Sequence, residues 1–141
     1  MDLESLLKAT NRLSDSKEIE RLIIEAAKPY EAEMIDLNTS QLSDGKLSTN
    51  KKVTPKYSPE YAKFKGFKTP DLHLEGDFYA GFNIEFKEKS MIFDSNDDKT
   101  PKLETRYSSD IFGLTDKNKQ EAVEEYIADD FIKLIANELT K

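Results

Sequence analysis

The sequence contains no cysteine and only one histidine, His73. The lack of cysteine excludes a disulfide framework, thiol catalysis and thiolate metal ligands. A zinc site at His73 would need carboxylates for all its other ligands, which is poor zinc chemistry. The sequence also places no serine with it for a catalytic triad. We therefore interpret His73 as a structural or exposed residue.

Glycine is scarce, and the five glycines are isolated from one another. Their spacing excludes a glycine-rich phosphate loop and a nucleophile elbow. Apolar runs long enough to cross a bilayer are absent, and the acidic start Met1–Glu4 does not resemble a secretory signal. We expect a protein that is not an enzyme, binds no cofactor or metal and has no membrane contact.

The length of 141 residues fits a single domain, 1–141. Hydrophobic residues make up 37% of the chain and charged residues 35%, so we expect a modest core beneath a heavily charged surface. The patterns divide the chain into a helical part at 1–44, an extended loop or arm at 45–70, a sheet with a short helix at 71–115 and a C-terminal helix at 116–139. Within the arm, Ser58 precedes Pro59 at a first helical position, which predicts one helical turn at Ser58–Phe64.

The amino-terminal part has helical periodicity. Leucine spacing predicts a short helix in the first dozen residues. A long helix follows from Ser16 to about Leu42, kinked at Pro29 because proline lacks the backbone N–H that a helix needs. Gly45 is placed to end it.

The stretch Thr69–Phe86 is predicted to turn the chain from helix to sheet. Apolar and polar residues alternate strictly over Phe82–Lys87, the period of a strand with one buried face. Ser90–Asp94 is predicted to form the second strand of a hairpin, and Asp110–Thr115 another short strand. The fold class is therefore α+β, with a small antiparallel sheet.

Two further helices are expected in the carboxyl half. Pro101–Tyr107 is predicted to be a short helix capped by Thr100. The last helix is capped by Thr115 or Asp116, and its apolar residues are three and four positions apart. These residues are Val123, Ile127, Phe131, Leu134, Ile135 and Leu139.

Charge is unevenly distributed along the chain. Seven lysines face a single glutamate over 45–68, a net charge of +6; because the whole chain carries −7, the remainder carries −13. The lysines are Lys46, Lys51, Lys52, Lys56, Lys63, Lys65 and Lys68. A basic segment in an acidic chain suits an acidic partner, including a second copy of the same chain.

Two acidic stretches are candidate sites. Asp94–Asp98 alternates oxygen ligands as a calcium loop does, but Lys99 and Thr105 stand where that loop needs glycine and glutamate, so we interpret it as a solvated turn. Glu75 and Asp77 flank a glycine, and we interpret them as the polar ends of a turn before a buried strand.

Two segments of the carboxyl half, Leu72–Phe82 (LHLEGDFYAGF) and Asp110–Asn118 (DIFGLTDKN), resemble the Mu-like phage virion morphogenesis proteins, also called tail-completion or neck proteins. Glu75 stands where that family usually has threonine before the glycine.

The resemblance implies a structural virion protein of the neck or tail junction, a head–tail connector. It implies a homo-oligomeric ring around the DNA channel, contacts with portal, connector and tail proteins, and location in the virion after assembly in the host cytoplasm. DNA would pass through without sequence-specific binding. On this hypothesis we predict that the partner-binding residues are Lys51, Lys52, Lys56, Tyr57, Tyr61 and Phe64, and that Gly76, Phe78, Gly113 and Leu114 hold the fold.

Two other functions stay open. A nucleic-acid-binding accessory protein would use the basic aromatic segment 51–68, with lysines for phosphates and rings for bases. A metal-dependent hydrolase would need Glu75, Asp77 and Asp94 as its acidic centre.

Overall fold

The computed structural model describes residue 4 and residues 16–73 and 76–140. Nearly all of the helix predicted for the first dozen residues therefore lies outside the described residues. Helix α1 spans Ser16–Ala27, helix α2 spans Glu31–Ser43, and a 3-10 turn at Lys28–Tyr30 joins them. The irregularity predicted at Pro29 is present, but as a 3-10 turn that separates two helices and not as a kink within one long helix. Gly45, with a φ of +74°, follows the end of α2 as predicted.

A two-stranded antiparallel hairpin forms the sheet, so the α+β class is confirmed. Strand β1 (Phe82–Phe86) pairs with strand β2 (Met91–Ser95) along its whole length. A four-residue helix at Asp77–Ala80 precedes β1. It places the ring of Phe78 in the core with no exposed surface.

The strand predicted at Asp110–Thr115 is wrong. A 3-10 turn covers Ser109–Ile111, and irregular backbone follows, with Gly113 at a φ of +107°. An apolar run this short does not distinguish a strand from a buried irregular segment. Its backbone groups bond to side chains of α2, so they do not need a neighbouring strand.

Two buried amide side chains of α2 make these bonds. The Nδ2 of Asn38 donates to the carbonyl of Ile111 (3.0 Å), and the N–H of Gly113 donates to Oδ1 of Asn38 (2.9 Å). The Nε2 of Gln41 donates to the carbonyl of Gly113 (3.0 Å), and the N–H of Thr115 donates to Oε1 of Gln41 (2.9 Å). The two side-chain amides therefore supply the hydrogen bonds that a neighbouring strand would otherwise make to this segment.

The short helix predicted after the hairpin is present, as Thr100–Tyr107. The prediction that Thr100 caps it is wrong, because Thr100 is already helical and Lys99 occupies the cap position. The Thr100 hydroxyl instead donates to the carbonyl of Ser95 (3.2 Å), which ties the start of this helix to the end of β2.

The last helix is continuous but not uniform. It consists of an α-helical part at Asp116–Ala122, a π turn at Val123–Ile127 and a second α-helical part at Ala128–Leu139. The predicted cap is confirmed at Thr115, whose hydroxyl accepts from the N–H of Asn118 (3.3 Å).

The π turn shifts the faces of this helix. Val123, predicted to lie on the apolar face, is 49% exposed, whereas Ile127 is 5% exposed. The ring of Tyr126, within the π turn, stacks on Tyr30 of the 3-10 turn with 5.4 Å between centroids. The two irregular points of the helical layer therefore contact each other.

Two core clusters hold these elements together. The first core cluster consists of Leu42, Leu47, Val53, Leu72, Phe78, Phe82, Leu103 and Ile111. The second core cluster consists of Ala26, Ala27, Met34, Ile84, Leu114, Ala122 and Ile127. The hairpin and α2 contribute to both, while the last helix packs on the second. Within the described residues, no helix is both long enough and apolar enough to span a membrane.

Candidate partner-binding site

The base of the arm is anchored in the first core cluster. Leu47 and Val53 are buried there, and the N–H of Val53 donates to the carbonyl of Gly45 (2.9 Å). The N–H of Leu47 donates to the carbonyl of Lys51 (2.8 Å), which closes a tight turn. Lys51 and Lys52 are exposed on this turn.

The outer part of the arm, residues 56–68, is here termed the outer arm. It contains one helix, α3 (Pro59–Lys65). The Oγ of Ser58 accepts from the N–H of Tyr61 (3.2 Å) and caps its start, and proline occupies the first turn, where no N–H is needed. Gly66, with a φ of +88°, ends it. The helical turn predicted at Ser58–Phe64 is confirmed and extends one residue further.

Tyr57 attaches the outer arm to the domain. Its ring meets Tyr61 edge-on with centroids 4.7 Å apart and lies 6.0 Å from Phe67. Its N–H donates to the carbonyl of Lys68 (2.9 Å), so the two ends of the outer arm are joined. Its hydroxyl faces Oδ1 of Asp71 at 3.5 Å, and burial, together with that carboxylate, raises the pKa of Tyr57 to about 12.

The outward side of α3 is apolar and basic together. Phe64 is 84% exposed, with Lys63 and Lys65 on either side of it in the chain. Its ring stacks obliquely on that of Tyr61, with an interplanar angle of 28° and centroids 6.3 Å apart. The Nζ of Lys65 lies 5.7 Å from the ring centroid of Phe67, close enough for a cation–π contact.

The structure separates the predicted partner-binding residues into two groups. Lys51 and Lys52 lie on the base turn. Lys56, Tyr57, Tyr61 and Phe64 belong to the outer arm.

Three lysines of the arm were not singled out as contacts from the sequence, namely Lys63, Lys65 and Lys68. Lys63, Phe67 and Lys68 line one cleft of about 610 Å³ with Lys56 and Tyr57. The signal of these lysines in the sequence was the same excess of lysine that defined the segment.

Of the other candidate residues, His73, Asp77 and Asp94 are exposed. His73 is exposed, and its ring lies edge-on to Tyr79 with centroids 5.1 Å apart. Asp94 is exposed and accepts from the N–H of the next residue (2.8 Å), Asp77 is exposed at the start of its short helix, and Glu75 lies outside the described residues. In the part of the chain that the structure describes, no three His, Asp or Glu side chains are grouped to hold a metal ion.

Comparison with protein-family models, curated proteins and solved structures gave no match. Function is therefore inferred from the arm and from the resemblance in the sequence.

Proposed function

We propose that this chain is a non-catalytic structural protein of a phage neck, which assembles as a ring at the head–tail junction and uses the arm to contact its neighbours. The observation that carries the proposal is the exposure of Phe64 on a basic arm of an otherwise acidic chain. Phe64 is 84% exposed on the same arm as the exposed rings of Tyr61 and Phe67, and a group of exposed apolar side chains of this kind marks a surface for a partner. Anchored at its base and folded at its tip, the arm is already ordered for docking, which lowers the entropy lost on association.

The two segments that resemble neck proteins also support the proposal, because they pack against each other. The ring of Phe112 lies 5.9 Å from that of Phe78 and 5.4 Å from that of Phe82. Leu114 is buried, and Gly113 uses a backbone conformation that suits glycine. The resembling residues thus form one packed unit, consistent with a shared scaffold.

Deletion of the gene from the phage or prophage that encodes it tests this function. We expect particles to stop at filled heads and separate tails, and the chain supplied from a plasmid to restore joined particles. Complementation with Phe64→Ser should fail although that exposed substitution leaves the fold intact. Normal yields of infectious particles from the deletion strain would contradict the proposal.

A second candidate occupant of the arm is single-stranded nucleic acid, since exposed Tyr61 and Phe64 beside lysines suit base stacking and phosphate contact. Its test is binding of a labelled single-stranded oligonucleotide at low salt, comparing wild type with Lys56→Gln/Lys63→Gln. Salt-sensitive binding that the variant loses would favour this function over the neck, and no binding would remove it.

A further inference from the structure

We propose that the arm binds the exposed acidic side of the last helix on a second copy of this chain. This inference rests on the proposed function, because it names the surface that receives the arm in the assembly. The receiving surface, here termed the acidic face, consists of the exposed residues Glu121, Val123, Glu124, Glu125, Asp129 and Ile132.

Charge makes the arm and the acidic face complementary. Residues 120–132 contain five acidic residues and no lysine or arginine, whereas the arm carries seven lysines against one glutamate. Opposed potentials of this kind steer partners together and fix their register. They also predict that association weakens as salt is added.

Each surface also includes exposed apolar side chains. Ile132 is 62% exposed and Val123 is 49% exposed, and Phe64 is 84% exposed on the arm. Aromatic anchors that become buried, with charges around them, are the usual source of binding energy at protein interfaces.

Among the residues that the structure describes, the charges on both surfaces have no ion-pair partner. Among residues 16–73 and 76–140, neither the lysines of the arm nor the carboxylates of the acidic face form an ion pair. A partner can therefore pair these charges without first breaking any ion pair of the described residues.

The two surfaces belong to different parts of the molecule. The outer arm lies beside the first core cluster, where Tyr57 and Tyr61 line a cleft with Leu72 and Leu103. The last helix packs on the second core cluster through Ile127. A contact between two unlike surfaces on successive copies is heterologous, and such contacts form a ring when the rotation between copies closes.

Charge reversal tests the contact. The arm variant is Lys63→Glu/Lys68→Glu, and the helix variant is Glu121→Lys/Glu125→Lys. Sedimentation velocity at low ionic strength measures association, with circular dichroism to verify folding. We expect each variant alone to associate about tenfold or more weakly than wild type, and the two variants mixed, or combined in one chain, to recover association. Lys89→Glu/Lys102→Glu, an equal charge change on exposed lysines elsewhere, should leave association unchanged.

Three results would overturn the inference: a wild-type chain that stays monomeric at low ionic strength, a helix variant that associates as wild type does, or a failure of the mixture to recover. These outcomes are separable from failure of the proposed function. If the helix variant associates normally but gene deletion still separates heads from tails, the neck function stands and the arm binds elsewhere. If recovery is seen but deletion leaves infectious particles, the contact stands and the neck function fails.

Discussion

Asn38 and Gln41 give helix α2 a role that a β-strand usually has. Each amide accepts one backbone N–H of the irregular segment at 111–115 and donates to one of its carbonyls. Both side chains are buried, at 0% and 4% exposure. Because a buried backbone group without a partner costs about 1–3 kcal/mol, these two residues stabilise the approach to the last helix.

Asn38→Asp should therefore destabilise the protein by about 2–4 kcal/mol near neutral pH. The substitution keeps the oxygen that accepts from the N–H of Gly113. It replaces the NH2 group that donates to Ile111 with a carboxylate oxygen, which then faces the carbonyl oxygen of Ile111. Burial raises the pKa of the new carboxyl in the folded protein. The loss of stability should therefore appear as pH rises above about 4, the ordinary pKa of aspartate. It should shrink in acid, where the protonated carboxyl can donate a hydrogen bond.

Urea unfolding across this pH range measures the effect. Asn137→Asp, an equal change at an exposed position of the last helix, should stay within about 0.5 kcal/mol of wild type. Equal stabilities for the two variants would show that the buried amide contacts contribute nothing.

Gly45 and Gly66 form a matched pair, because both have positive φ angles, +74° and +88°. A Cβ at Gly45 would lie 2.6 Å from Cγ2 of Thr69, whereas a Cβ at Gly66 would meet nothing within 4 Å. We expect Gly66→Ala to cost about 1–2 kcal/mol from backbone strain, and Gly45→Ala to cost a further ~1–3 kcal/mol from overpacking. Urea unfolding of both variants tests this expectation, together with Gly45→Ala/Thr69→Ser, which lacks the obstructing methyl group. Equal losses of stability in the two single variants would exclude the clash.

At the scale of single residues, sequence reasoning succeeded where the determinant is local. Gly45, Ser58 and Thr115 act through backbone chemistry that depends on a few neighbours, and the structure confirms their roles. The pairing of Asn38 with the segment at 111–115 was not predictable, because its partners lie more than 70 positions away in the chain.

Among the elements, the arm combines a buried attachment with an exposed tip. Tyr57 belongs to the attachment, where its hydroxyl lies near the carboxylate of Asp71. The tip is α3, whose helix has caps at both ends, so the exposed ring of Phe64 is presented on an ordered turn. The arm is therefore expected to meet its partner without folding first.

The attachment should weaken in alkali. The pKa of Tyr57 is raised to about 12 by burial and then by Asp71, so the folded arm retains the proton that an unfolded chain releases near pH 10. The contribution of Tyr57 is thus complete below pH 10 and is lost as pH rises toward 12.

Ultraviolet titration of tyrosinate measures this shift. Tyr57→Phe should remove one group from the high-pH part of the curve. Asp71→Asn should lower the pKa of Tyr57 only partly, because burial is the larger cause and remains. A curve for Tyr57→Phe identical to wild type above pH 11, apart from the amplitude of one ordinary tyrosine, would contradict the buried attachment.

The element boundaries show what periodicity can and cannot predict. The spacing of apolar residues and the turn residues predict the hairpin, the short helix that ends at Tyr107 and the last helix. The π turn does not, because one extra residue within a helix leaves the pattern of three and four nearly unchanged while it turns Val123 outward. The strand proposed at Asp110–Thr115 failed for the related reason that a short apolar run reports burial and not hydrogen-bonding partners.

For the whole molecule, the main feature is the separation of charge between a basic arm and an acidic body. A chain that carries +6 on one segment and −13 elsewhere is expected to associate more strongly at low than at high ionic strength. The acidic body would also repel DNA passing through a ring, so that DNA does not adhere to the channel. The distribution of charged residues along the sequence predicts this separation of charge, but the exposed face of the last helix that carries the acidic residues could be defined only from the structure.

Electron cryo-microscopy of purified particles from the source strain tests the account most directly. We predict a closed ring of this chain at the head–tail junction, in which α3 of each copy contacts the last helix of the next copy. Particles whose junction contains no copy of the chain, confirmed by mass spectrometry of the same preparation, would contradict it.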